Sequence, residues 1–212
     1  MSALLLSLNE ARVLASLVEK SLTTPQYYPM TVNGVMLASN QKNSRSPVMS
    51  LSEGDVGAAL NQLETQRLVK RDESSGRAVK WRHQFQHQLL LKPEGVAVLA
   101  ALMLRGPQTL AEIRSNASGL NGPSDIEGVQ TVLDDLADRA SPLVKQLARG
   151  AGQSTVRYAH LLCGEDAIPA VAESAGASSA SGGGGNAALI AQLLERVDAL
   201  EARVAELERA LS

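Results

Sequence analysis

The 212 residues carry 20 Lys and Arg against 22 Asp and Glu, a formal charge of −2, with one Cys, one Trp, one Phe and three Tyr. A lone Cys163 excludes an intrachain disulfide and fits a reducing cytoplasm, and so few aromatics leave Leu, Val, Ala and Met to fill the core. No run of about 18 apolar residues offers a membrane span, and no basic stretch followed by a long apolar one marks a secretory leader.

The charge is uneven. Residues 1–90 hold 10 Lys/Arg against 7 Asp/Glu, residues 91–163 hold 7 against 7, and residues 164–212 hold 3 against 8. An acidic tail therefore masks a mildly basic first unit.

In chain order, residues 8–20 place Leu14, Leu17 and Val18 on one helical face. Residues 23–30 (TTPQYYPM) hold two prolines and read as an extended turn. Thr31 is a good N-cap for a second helix through Gln41, and a polar loop, residues 42–47, follows. Ser50 and Glu53 have capping-box spacing before a third helix that buries Val56, Leu60 and Leu63. Residues 68–72 and 77–85 form a hairpin turning at Ser74, Ser75 and Gly76.

The same order then recurs. Residues 91–106 echo residues 8–21, with Pro93 in the first helical turn, and residues 127–147 echo residues 53–71. Thr109 with Glu112, and Ser124 with Glu127, repeat the capping-box spacing. A second hairpin spans residues 143–148 and 155–162. Three helices and a hairpin, written twice, predict a mainly α chain with small β-hairpins (α+β): two tandem winged helix-turn-helix domains. The domains are residues 1–90, with an insertion at 23–49, and residues 91–163.

Residues 164–186, rich in Ala, Ser and Gly, read as a flexible linker. Residues 187–212 read as a coiled-coil helix. Ile190, Val197, Val204 and Leu211 fall at a positions, and Leu193, Leu200 and Leu207 at d positions. Mostly β-branched a with Leu at d favours a parallel dimer, and Arg196 and Arg203 at g match Glu201 and Glu208 at e. The competing reading is an amphipathic helix packed on its own domain.

The first hairpin is the candidate DNA contact. Arg67, Lys70, Arg71, Arg77, Lys80 and Arg82 crowd together, opposed by Asp72 and Glu73, and phosphate binding needs such a cluster. A charged, protected hairpin edge is the alternative. Lys42 and Arg45 in the polar loop can add phosphate contacts or serve turn chemistry. The third helix has no Lys or Arg from residue 53 to 66. Its Asn61 and Gln62 can read adenine or be ordinary polar surface. In the second unit Asp125, Glu127, Asp134, Asp135 and Asp138 would repel phosphates, so that unit is expected to pack on the first or on a protein partner.

No catalytic constellation appears. His83 and His87 would share a strand face roughly 13 Å apart, too far for one metal, and no Cys cluster, zinc-protease motif or phosphate loop is present. The expectation is a non-enzymatic, cytoplasmic, dimeric DNA-associated protein with no metal or cofactor. The rival is a protein scaffold.

TTPQYYPMTVNGVMLASNQK, followed by NSRSPVMSLSEGDV, with ALMLRGPQTLAEIRS and RYAHLLCG further on, resembles the YceH-like family of uncharacterised bacterial proteins over residues 4–164. The resemblance implies tandem winged helices. It implies no activity and carries over no catalytic or ligand residue.

Overall fold

The computed structural model describes residues 4–72, 78–148 and 155–168. α1 (Leu8–Thr23) begins at a full capping box: Ser7 Oγ accepts from the Glu10 amide and Glu10 accepts from the Ser7 amide. Every residue from Ala11 to Val18 is buried, so α1 shows no solvent face along its middle. That is the signature of a helix enclosed on all sides. Around it pack α2 (Val32–Ser39), α3 (Glu53–Thr65) and a hairpin of β1 (Val69–Asp72) and β2 (Lys80–His83).

A short helix α4 (Phe85–Gln88) leads to the second half. α5 (Pro93–Arg105) is the counterpart of α1, with every residue from Gly95 to Leu104 buried. α6 (Leu110–Ser118), α7 (Ile126–Ala137) and a second hairpin, β3 (Val144–Gln146) with β4 (Tyr158–His160), complete it. Among the described residues the fold is thus mainly helical, with two small antiparallel hairpins.

The duplication extends to single residues. Met30 exchanges backbone hydrogen bonds with Trp81, and Gln108 does so with Tyr158. The next residue in each case, Thr31 or Thr109, caps the following helix. Each hairpin sets a valine opposite a histidine, Val69 against His83 and Val144 against His160.

α1 and α5 also pack on each other, which is why α1 buries more than the single face its leucines predict. The expected boundary between residues 90 and 91 lies between α4 and α5, and one apolar core runs across it, from Leu14 and Leu60 to Leu99 and Leu133. The Leu6 amide donates to the Leu162 carbonyl at 2.7 Å, joining the first strand-like residues to the last.

Several local expectations change. The box at α3 is Ser52 with Asp55, not Ser50 with Glu53. α7 is capped by Asp125, which accepts from the Gly128 amide, in place of Ser124. His87 lies in α4, not on a strand beside His83. The extra residues of the first half are not one insertion. Residues 24–31 precede α2 where 106–109 precede α6, and residues 40–52 follow α2 where 119–125 follow α6. The second hairpin's turn, the zipper (residues 187–212) and most of the linker lie outside the described residues.

Candidate nucleic-acid interface

The register of the first hairpin pairs Val69 with His83, Lys70 with Arg82, Arg71 with Trp81 and Asp72 with Lys80. Alternation then sorts these residues between two faces. Val69, Arg71, Trp81 and His83 share the inner face, while Lys70, Asp72, Lys80 and Arg82 share the outer one. Three cations meet one carboxylate on the outer face, and Asp72 is ion-paired with Arg82.

Arg71 is turned to a different task. Its guanidinium lies 5.0 Å from the Trp81 ring centroid, pairs with Glu64 at 3.1 Å and donates to Asn61 Oδ1 at 3.1 Å. It covers the tryptophan and ties β1 to α3. Asn61 thereby has its carbonyl oxygen occupied, which removes half of the bidentate adenine contact expected of it. Gln62 is exposed on α3. Arg77 lies outside the described residues.

Arg45 is not available at the surface to meet a phosphate. Its guanidinium is fully buried and grips Glu19 through both oxygens, at 3.1 and 2.6 Å, while also donating to the carbonyls of Ala38 and Ser44. Burial works to raise the Glu19 carboxyl, and the hydrogen bonds and charge of Arg45 overcome it, holding Glu19 below its ordinary value. Arg12, also buried, donates to Ser39 O at 3.2 Å and Pro47 O at 2.7 Å. Burial, reinforced by Arg45, pushes the Arg12 guanidinium down to about 10. Asn40 clips the loop's far end, donating to Leu51 O and accepting from Leu51 N, both at 2.8 Å. The polar loop is therefore fastened inward, with Lys42 left exposed.

These anchors explain much of the distinctive TTPQYYPM…ASNQK stretch. The Tyr28 hydroxyl accepts from the His83 amide at 2.6 Å, and Gln41 accepts from Lys20 and Arg45. Sequence reasoning missed Arg12 and the inward role of Arg45. The available signal was Arg12, set between Ala11 and Val13 in an apolar helix; nothing in the polar loop marked Arg45.

His83 is pushed down to about 4 by burial, then by the nearby His87 and Arg82, and its Nε2 meets Ser21 Oγ at 3.1 Å. Burial alone takes His160 to about 4. Both have a buried Nδ1 without a partner. Burial also pushes the Cys163 thiol up to about 11, which disfavours the thiolate.

Among the described residues the second hairpin has no comparable basic face. Lys145 pairs with Glu165 at 2.7 Å, and Arg157 with Glu112 at 3.0 Å. Near them α7 carries Glu127, Asp134 and Asp135, the last joined to Lys92. Among the described residues no helix is long and apolar enough to cross a membrane.

The described residues thus form a repeated three-helix-and-hairpin unit, with three cations on the outer face of the first hairpin. The chain belongs to a family described as a protein of unknown function, DUF480, which matches residues 6–153. It is 45% identical over 202 residues to a UPF0502 protein of Azoarcus sp. (strain BH72), covering 95% of this chain and 88% of that one. A UPF0502 protein of Pelobacter propionicus is 42% identical over 97% of this chain and 94% of its own. One from Geobacter sulfurreducens is 44% identical over 76% and 74%.

Proposed function

We propose that this is a cytoplasmic DNA-associated regulatory protein without catalytic activity, built from two fused winged helices. The first hairpin meets the phosphate backbone, and the seam at residues 187–212 joins two copies. The helix–helix–helix–hairpin order, with a strand-like residue between the first two helices bridging to the hairpin, supports the winged-helix reading of each half.

One observation carries the DNA reading. Lys70 stands directly opposite Arg82 on the outer face, with Lys80 beside them. Like charges facing across strands cost roughly 0.2–1 kcal/mol, and the Asp72–Arg82 ion pair offsets part of that but does not balance the excess positive charge. An anionic partner does, because each neutralised phosphate releases condensed counterions.

A second reading has its own support. Among the described residues, α7 is acidic and Lys145 is ion-paired, so the second hairpin shows no cluster of cations. The second half then serves as a docking surface for a protein, with DNA contact confined to the first.

Sedimentation of the full chain with a DNA duplex at several salt concentrations tests the proposal. Two chains per duplex are expected, with affinity falling steeply as salt rises. The Lys70→Ala, Lys80→Ala and Arg82→Ala variants each lower the logarithmic salt slope by about 1. No complex with any duplex at low salt sinks the DNA reading.

A further inference from the structure

The end of α3, the start of β1 and the α4 region line a wide-open surface cavity of about 360 Å³. Arg67 and Lys70 line it, with Glu64, Gln84, His87 and Gln88. Glu64 is the carboxylate of the set, and it is engaged by Arg71 at 3.1 Å. The side chains of Arg67 and Lys70 have no ion pair or hydrogen bond among the described residues. The cavity thus carries two uncommitted cations and amide donors from two glutamines, a donor set suited to anionic oxygens.

The backbone at Arg67 points the same way. α3 ends in a Schellman motif. The Leu68 amide donates to Leu63 O and the Arg67 amide to Glu64 O, each at 2.9 Å. The residue between these bonds takes φ 59, a left-handed conformation that glycine occupies without steric cost and that a β-carbon disfavours. An arginine therefore sits where a glycine would make the better helix end. Its side chain is exposed and reaches no protein partner. Residues held in such regions are concentrated at functional sites.

We propose that this cavity is a phosphate-binding notch, in which Arg67 and Lys70 hold one phosphate group of a nucleic-acid backbone at the base of the basic hairpin. Lys70 belongs to both surfaces, so the notch fixes the hairpin's register on the duplex and the outer face adds steering charge. The inference rests on the DNA reading above for the source of the phosphate, and on the cavity itself for the chemistry.

The test separates binding from folding by their opposite signs at one residue. Arg67→Gly relieves the left-handed backbone, so its Tm should equal the parent's or exceed it by up to about 4 °C. Its DNA salt slope should fall by about 1. Arg67→Asn, which also tolerates this backbone without the charge, should lose the same contact. In parallel, inorganic phosphate is titrated into the full chain, followed by amide NMR shifts. Saturable shifts at Arg67, Lys70 and Gln84 are expected, absent in both variants. If phosphate moves those amides while the parent binds no duplex, the notch stands, its ligand is a free phosphate compound, and the DNA reading fails. If the parent binds duplex, both Arg67 variants bind it with an unchanged slope and phosphate moves no amide at the cavity, the notch is overturned and the hairpin reading survives. A lower Tm in Arg67→Gly with unchanged binding also overturns it, since Arg67 would then be structural.

Discussion

Remove the Arg45 guanidinium, and the Glu19 carboxylate is left beside the interior with Lys20, at 3.3 Å, as its remaining ion-pair partner among the described residues. Truncating one partner of a buried pair strands the other's charge. Arg45→Ala should therefore lower unfolding stability by about 3–5 kcal/mol in a urea titration. Lys42→Ala, three residues away and exposed, should stay within about 0.5 kcal/mol of the parent. An equal, small effect from both would mean that Arg45 is not the loop's anchor. Composition presented the two cations as equivalent. What separates them is the position of Glu19, which comes from a helix 26 residues earlier in the chain and is invisible to a reading of the loop by itself.

At the scale of elements, the two hairpins share a property of their histidines, whose cause is burial. His83 and His160 both stay neutral when folded, at about 4, while an unfolded histidine titrates near 6.5. Above pH 6.5 neither state is protonated and there is no penalty. As pH falls from 6.5 toward 4, the unfolded chain takes up protons that the folded chain refuses, so stability falls, by at most about 3 kcal/mol per ring. The urea midpoint should drop over that interval. His83→Gln and His160→Gln should each flatten the drop, and a midpoint flat from pH 7 to 4.5 would count against both buried rings.

Helix positions were legible because capping chemistry and apolar spacing are local. Thr31, Pro93 and Thr109 start their helices as read. The box at α3 slipped because Ser-Leu-Ser-Glu-Gly-Asp contains two overlapping registers, and only tertiary packing selects between them. The basic cluster was legible as composition but not as geometry. Strand register sent Lys70, Lys80 and Arg82 outward and folded Arg71 over Trp81.

At the scale of the molecule, α1 and α5 are each the centre of one half and the wall of the other. The described residues fall within a single compact unit, Met1–Ala175. A two-domain reading of the repeat allows two unfolding transitions, but a shared wall couples them. Leu99→Ala, in α5, should cost about 2–5 kcal/mol. It should also shift the unfolding of Trp81, which sits in the first hairpin, by the same amount as the loss of helical signal. Trp81 fluorescence and helical circular dichroism should trace one superimposable curve in parent and variant. A tryptophan transition untouched by Leu99→Ala would uncouple the halves.

The enclosure of α1 has a consequence for the order of events during synthesis. α1 ends at Thr23 and its cover begins at Pro93. At about 5–20 residues per second, the ribosome makes the intervening chain in about 4–14 s. Through that interval the first half can assemble its helices and hairpin, yet the side of α1 that α5 will cover stays wet. The last fastening, from Leu6 to Leu162, comes later still. The nascent chain therefore carries an exposed apolar stripe on α1 until α5 has been made.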